Sequence, residues 1–375
     1  MLNSSKSLIT LHHQFLEQRQ FNSLDGVRCF CILAVLWHHT NPLNVLPILT
    51  RGFLGVDMFF VLSGFLIVTL LLREQSTIGR ISLRKFYARR AIRIFPIYYG
   101  MLLFLTLVYG VFKLQSNSAS SFFTALPFYV TYTSNWSVVQ AAGLGIMWSL
   151  ATEEQFYLFW PAIERINCKR VVYAVLGVFI ILNQLVNFGY LNGFFDTLYG
   201  ASTIKLEILN TTFTPICLGI GLAHLLHRSQ SFNLVIRSLG HRHSPIVLLS
   251  VLLFVVNFSP IDISGFPRLL IQLLMVLWLG SLVVREDHAL QPLLRFYPIV
   301  RIGKISYGMY MYHIWAFLIT TGITRFLYEY WGIVLPLPLF ITGTLTTLLI
   351  AEMSYRFYET PFLRLKTGLR WQSKQ

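Results

Sequence analysis

The chain has 375 residues, of which 55% are hydrophobic, 15% aromatic and only 12% charged, with a formal net charge of +15. A charged fraction about half that of an ordinary soluble domain excludes a water-soluble globular protein and points to a polytopic membrane protein. The basic balance comes with no nucleic-acid-binding motif, so it reads as loop charge that holds orientation in a membrane.

The first 22 residues are polar with no apolar core, so no cleavable signal peptide is expected and residues 1–23 read as a cytoplasmic tail. Hydropathy then predicts helices at roughly 29–48, 53–72, 93–112, 147–163, 171–189, 204–226, 246–258, 268–284, 304–325 and 333–356. The reading is an all-α bundle of ten transmembrane helices. Segment 122–139 is the ambiguous one, apolar yet rich in Thr, Ser, Asn and Tyr. If it does not cross and the N-terminus is inside, segments 1–28, 73–93, 164–170, 227–243, 285–304 and 355–375 are cytoplasmic. They hold 25 of the 30 Lys and Arg residues. Letting 122–139 cross reverses the bias of every later loop, so both termini are placed inside. Residues 113–146 are then expected to form an extracytoplasmic or re-entrant feature, with irregular backbone tolerated where it lines a cavity. The membrane domain covers 24–366, and 367–375 is a cytoplasmic tail. The four cysteines show neither disulfide nor metal spacing.

Ionisable residues inside apolar runs are costly and usually functional. Here they are His38 and His39, Asp57, Glu153 and Glu154, His313 and Glu352. At 1.5 Å per residue, His39 and His313 fall at a similar mid-depth, while Asp57 and Glu153 approach from the opposite side. Each has a bland reading as a satisfied structural group, but their convergence in depth favours a site. Arg28 and His39 are eleven residues apart and share a helix face. His38 sits off that face and is expected to pack or hydrogen-bond within the bundle. In "RKFYARRAIRIFPIYY", Arg90 and Arg93 share a face and Arg89 lies four from Arg93. Guanidinium pairs there suit a polyphosphate ligand; basic helix ends that meet lipid phosphates are the equal alternative.

Six motifs in order carry a resemblance: "LDGVRCFCILAVLWHH", "GFLGVDMFFVLSGFLI", "FYARRAIRIFPIYY", "MWSLATEEQFYLFWP", "IGKISYGMYMYHIW" and "YRFYETPFLRLK". Together they resemble acyltransferase family 3, the polytopic bacterial membrane O-acyltransferases, from about residue 24 to 366. The resemblance maps the family's Arg-x10-His onto Arg28 and His39 and its Arg-x-x-Arg onto Arg90 and Arg93. It also maps the Gly-Val-Asp acid onto Asp57, the Trp-Ser-Leu-x-x-Glu-Glu motif onto Trp148, Ser149, Glu153 and Glu154, and the late Tyr-x-x-His element onto Tyr310 and His313. The extra histidine, His38, departs from the pattern, as does the lack of a C-terminal hydrolase-like domain; the expectation is that this chain acts alone or hands its product on.

What the resemblance implies is transfer of an acyl group, acetyl first, from cytoplasmic acyl-coenzyme A to a hydroxyl of a surface or lipid-linked saccharide at the bacterial inner membrane. Arg90, Arg93 and Arg89 are expected to hold the donor's phosphates. His39 is expected to act as general base or transient acyl carrier, with Arg28 and Glu153 in the catalytic set. Asp57, Glu154, Tyr310 and His313 are assigned to substrate binding or structure, and no metal is expected. Expected partners are acyl-coenzyme A, the acceptor and membrane lipids, without nucleic acid. The rival readings are a small secondary metabolite as acceptor, a flippase for a lipid-linked glycan and, last, a purely structural subunit.

Overall fold

Where apolar runs meet local stop signals, the chain breaks into successive helices. The computed structural model describes residues 5–18, 20–43, 45–112, 116–136, 141, 143–191, 193–194, 197, 213–334 and 338–365; these are helical or irregular, with no strand among them. In chain order the helices are α1 (Ser5–Glu17), α2 (Leu24–Thr40), α3 (Pro47–Thr50), α4 (Leu54–Ile78), α5 (Leu83–Leu107), α6 (Asn117–Val130), α7 (Trp148–Arg165), α8 (Lys169–Asn187), α9 (Thr214–His227), α10 (Ser229–Leu239), α11 (Ser244–Phe258), α12 (Phe266–Val283), α13 (Gln291–Leu294), α14 (Tyr297–Lys304), α15 (Ser306–Trp331), α16 (Leu339–Met353) and α17 (Thr360–Leu365). Short π-helical turns at Val108–Phe112 and Ser354–Glu359 extend α5 and α16.

Several boundaries differ from the sequence reading, each for a local reason. The predicted helix 29–48 is observed as Leu24–Thr40. Asn41 adopts a left-handed φ of 38° and its N–H returns to the Trp37 carbonyl. Pro42 adds to the stop by disfavouring helical backbone at the residue before it. His38 and His39 therefore occupy the last turn of α2 rather than its middle. α5 starts at Leu83 rather than residue 93, since the basic run before 93 is composed of good helix formers. Residues 5–17, read as polar tail, form α1, whose Leu8 and Phe15 are buried. Residues 204–212 and 335–337 of two predicted helices lie outside the described residues, as do 1–4 and the tail 367–375.

Among the described residues, four helices are long and apolar enough to cross a bilayer: Leu54–Ile78, Leu83–Val111, Lys169–Asn187 and Phe266–Val283. A fifth is gained if α10 and α11, bent by 75°, count as one broken span. The other predicted spans are shorter, as with α9, or carry the polar residues of the motifs, as with α7. The count of ten rests on the loop charges.

The chain divides into two compact units. The first comprises residues 1–79, 173–184 and 213–306. Its centre is the pair α4 and α9, whose backbones touch. A Cβ added at Gly64 would lie 2.2 Å from the Ile216 carbonyl oxygen, and one at Gly219 would lie 2.2 Å from that of Val61. Small residues at such a crossing replace side-chain contact with backbone contact, the usual basis of close helix packing in lipid. α1 is tied to the end of α4 by Arg73, which donates to the Phe15 carbonyl at 2.7 Å and to that of Gln18 while its guanidinium covers the Phe15 and Phe21 rings.

The second unit comprises residues 80–172, 185–212 and 307–375. Within it, side chains pin the C-terminal end of α6 and the stretch that follows it. Tyr98 and Tyr99 of α5 donate to the carbonyls of Tyr129 and Val130 at 2.8 and 3.0 Å. Gln155 of α7 donates to the Tyr132 carbonyl at 2.6 Å and to Asn135 Oδ1 at 2.8 Å. Of residues 113–146, read as an extracytoplasmic or re-entrant feature, 117–130 form the regular helix α6, and residues 113–115, 137–140 and 142 lie outside the described residues.

Candidate active site

The structure places Arg28, His39 and Asp57 in the first unit. Arg89, Arg90, Arg93, Glu153, Glu154, Tyr310 and His313 belong to the second.

In the first unit, the two adjacent histidines are held differently. His39 Nδ1 lies 2.9 Å from the Val35 carbonyl, one turn back in the same helix. A carbonyl only accepts, so Nδ1 carries the proton and Nε2 is the basic nitrogen of the neutral ring. The residue is exposed at the end of α2. His38 Nδ1 instead donates to the Thr50 carbonyl at 2.9 Å, and its ring packs edge-on against Phe53. Gly52 lets this turn approach, since a Cβ there would lie 2.0 Å from the Ala34 carbonyl oxygen. His38 thus ties α2 to the turn before α4, the packing role its position off the Arg28 face had suggested.

Arg28 pairs with Asp25 at 2.7 Å on the preceding turn. Asp57, 1% exposed, accepts from Arg268 at 3.4 Å and Gln272 at 3.1 Å, so its contacts are those of a structural ion pair between α4 and α12. Arg51 is not among the residues that the sequence singles out. It is buried and donates to the carbonyls of Val256, Ser259 and Pro260, capping the end of α11.

In the second unit, Arg90 lies 3.9 Å from Glu153, and its guanidinium stacks 3.6 Å from the centre of the Tyr157 ring. Tyr157 in turn donates to Glu153. Arg90 and Glu153 were expected at opposite faces of the membrane; their contact puts them at one depth. Arg93 is exposed and Arg89 half-buried, so the arginines of the motif meet different surroundings. Cationic groups that fit an acyl donor's phosphates are present, although Arg90 already faces a carboxylate.

Tyr310 is buried and shares a 2.6 Å hydrogen bond with Ser149, while its hydroxyl also approaches the Ile146 carbonyl at 2.9 Å. His313, fully buried, donates from Nδ1 to the Tyr310 carbonyl at 2.7 Å. The two late-motif residues therefore form one buried cluster with the motif serine of α7. Glu352 is paired with Arg356. Among the described residues no group of three or more His, Cys, Asp or Glu side chains is placed to hold a metal ion.

The sequence matches the acyltransferase domain family over residues 21–355. A protein described as a putative O-acetyltransferase of Staphylococcus aureus (strain MRSA252) is 30% identical over 96% of this chain and 60% of its own length. Peptidoglycan O-acetyltransferase OatA of Listeria monocytogenes (serovar 1/2a, strain EGD-e) is 28% identical over 90% of this chain and 55% of its own. O-acetyltransferase OatA of S. aureus (strain NCTC 8325) is 28% identical over 92% and 57%. The chain thus spans 55 to 60% of the length of these relatives. No solved structure matches. With the family match covering residues 21–355, this chain belongs to the acyltransferase domain family.

Proposed function

We propose that the protein is a multi-pass O-acyltransferase of the bacterial inner membrane that moves an acetyl group from acetyl-coenzyme A to a hydroxyl of a saccharide or lipid-linked glycan. The observation that carries this reading is the anchoring of His39. Its ring is tethered through Nδ1 to the Val35 carbonyl at the exposed end of α2, which fixes the tautomer with a basic Nε2. A neutral imidazole oriented through one nitrogen is the form a general base requires.

In the reaction, Nε2 of His39 removes the acceptor's proton as its oxygen attacks the thioester carbonyl. The tetrahedral intermediate expels the coenzyme thiolate, which takes the proton back from the imidazolium. Arg89, Arg90 and Arg93 supply charge for the donor's phosphates. The relatives named as O-acetyltransferases support acetyl as the group transferred, and the one named for peptidoglycan supports a saccharide acceptor.

Mass spectrometry of surface glycans tests this in cells carrying wild-type protein, His39→Ala protein or none. An acetyl-sized mass present only with wild type is the expected result. Equal glycan masses in all three strains sink the saccharide reading and return the small-molecule acceptor and the flippase to consideration.

A further inference from the structure

The last of the six motifs, "YRFYETPFLRLK", has no role in the transfer as proposed. It begins within the π-helical turn Ser354–Glu359, set between α16 and α17. A single π turn inside a continuous helix re-aims the side chains that follow it, and such turns are frequent at functional sites. Here the turn carries Glu359 inward. The residue is buried, while Arg356, Phe357 and Tyr358 before it are exposed.

Two tyrosines bring that turn and α15 against α5 beside Arg93. Tyr358 donates to the Pro96 carbonyl at 2.9 Å, on the turn after Arg93. Tyr307 of α15 donates to the carbonyl of Ile94, the residue that follows Arg93, at 3.2 Å. Gly308 gives the acid room, since a Cβ there would lie 3.3 Å from Glu359 Oε1. Ser354 makes a long hydrogen bond of 3.5 Å to the same oxygen. So placed, Glu359 lies within electrostatic reach of Arg93, and Arg93 is itself exposed.

The arrangement differs from that of Asp57 and Arg268, where the acid is held by two side-chain donors. At Arg93 the cation faces outward and the acid lies behind it. A guanidinium has more N–H donors than one carboxylate can fill, so an exposed one backed by an acid can still meet a phosphate. The acid then repels that phosphate at short range. A donor site needs such a limit. Acetyl-coenzyme A and the coenzyme released from it carry the same phosphates. Arginines that gripped them unopposed would hold product as firmly as substrate, and product release limits many enzymes.

We propose that Glu359 sets the affinity of the donor site: its carboxylate opposes the donor's phosphates at Arg93, so a polyphosphate is held there firmly enough to bind and loosely enough to leave. Arg90 is opposed in the same manner by Glu153 at 3.9 Å. A ligand with a single negative charge gains too little at such a site, whereas a polyphosphate outweighs the one carboxylate. The identity of the ligand rests on the transferase reading; the opposition rests on the contact of the π turn with α5.

The test titrates purified full-length protein in detergent micelles, by calorimetry, with acetyl-coenzyme A and separately with inorganic tripolyphosphate. Wild type is compared with Glu359→Gln, Glu359→Asp, Arg93→Gln and the combined Arg93→Gln, Glu359→Gln protein, with melting temperatures to show that each is folded. Glu359→Gln should bind both ligands about tenfold more tightly, Glu359→Asp by a smaller factor, and Arg93→Gln more weakly than wild type. In the Arg93→Gln background, Glu359→Gln should change affinity by less than about twofold. A glutamate that merely holds the fold would loosen binding when replaced, so unchanged or weaker binding in Glu359→Gln and Glu359→Asp overturns the proposal. So does equal tightening with and without Arg93, the mark of a general charge effect. The donor reading fails separately. Tripolyphosphate that follows the expected pattern, with no binding of acetyl-coenzyme A, sinks the donor and keeps the role of Glu359. Acetyl-coenzyme A bound alike by wild type and Glu359→Gln does the reverse, and binding of neither ligand overturns both.

Discussion

Arg90 of α5 and Glu153 of α7 lie 3.9 Å apart, with the Arg90 guanidinium stacked on Tyr157 and Tyr157 hydrogen-bonded to the same carboxylate. The three side chains form a closed triangle of charge, ring and hydroxyl, so they should respond to substitution as a unit. Arg90→Gln and Glu153→Gln, alone and combined, should show a coupling of about 1–2 kcal/mol in thermal unfolding. Additive effects would mean the contact carries no energy. Arg90→Lys keeps the charge and loses the planar fork, and should lower transfer by at least about tenfold.

The two histidines at the end of α2 should separate in a transfer assay. His39→Gln should lose activity by about 100-fold or more, as expected for loss of a general base. His38→Gln retains a donor for the Thr50 carbonyl and should lose less than about tenfold. A larger loss in His38→Gln than in His39→Gln would exchange their roles. A trapped acetyl on the His39 imidazole, detected by mass spectrometry after donor is added without acceptor, would replace base catalysis with acyl relay.

Asp57→Ala removes the acceptor of Arg268 and leaves a guanidinium uncompensated between α4 and α12. The expected cost is about 3 kcal/mol. Asp57→Asn keeps the shape and one hydrogen bond, and should cost less. Equal melting temperatures for Asp57→Ala and wild type would show the pair to be energetically idle.

Stability should also depend on pH through His288, in the loop after α12. Burial first, and Arg295 second, push its imidazole from 6.5 down to about 4, while its Nε2 meets Ser23. Between these values the unfolded chain binds more protons, so stability is full above pH ~6.5 and declines as pH falls. The penalty is complete below pH ~4 and amounts to roughly 3 kcal/mol. His288→Gln should flatten this part of the stability profile, read as melting temperature against pH. An unchanged slope would assign the acid sensitivity to other groups.

Gly64→Ala and Gly219→Ala should each destabilise by about 1–3 kcal/mol, because the added methyl meets a backbone carbonyl and not a movable side chain. Monodispersity and melting temperature in detergent report it. A neutral effect would require α4 and α9 to part without cost.

Much of this was legible in the sequence, and the gaps have physical causes. Apolar runs located most of the helices, since hydropathy over some 20 residues is a strong signal. The end of α2 was misjudged because hydropathy averages over the Asn41–Pro42 break, which acts through backbone geometry. The shared depth of Arg90 and Glu153 was invisible for a related reason: depth was counted along each helix from its predicted end. Nothing in a count of residues reveals that the end of α6 is held by Tyr98 and Tyr99 and the stretch after it by Gln155. The choice of His39 over His38 followed from 100° per residue alone, and the structure gives the two rings different anchors. Arg51 escaped because its partners are main-chain carbonyls about 205 residues away, which have no side-chain signature.

The glycine crossing of α4 and α9 has a consequence in time. Gly64 and Gly219 leave the ribosome about 150 residues apart, so at ordinary synthesis rates α4 exists for roughly 8 to 30 seconds before its partner is made. Through that interval a helix destined for the middle of the first unit presents bare backbone at Gly64 to lipid or to the insertion machinery. The crossing therefore cannot close until translation has passed residue 219, and a chain halted earlier carries α4 with its closest neighbour still missing.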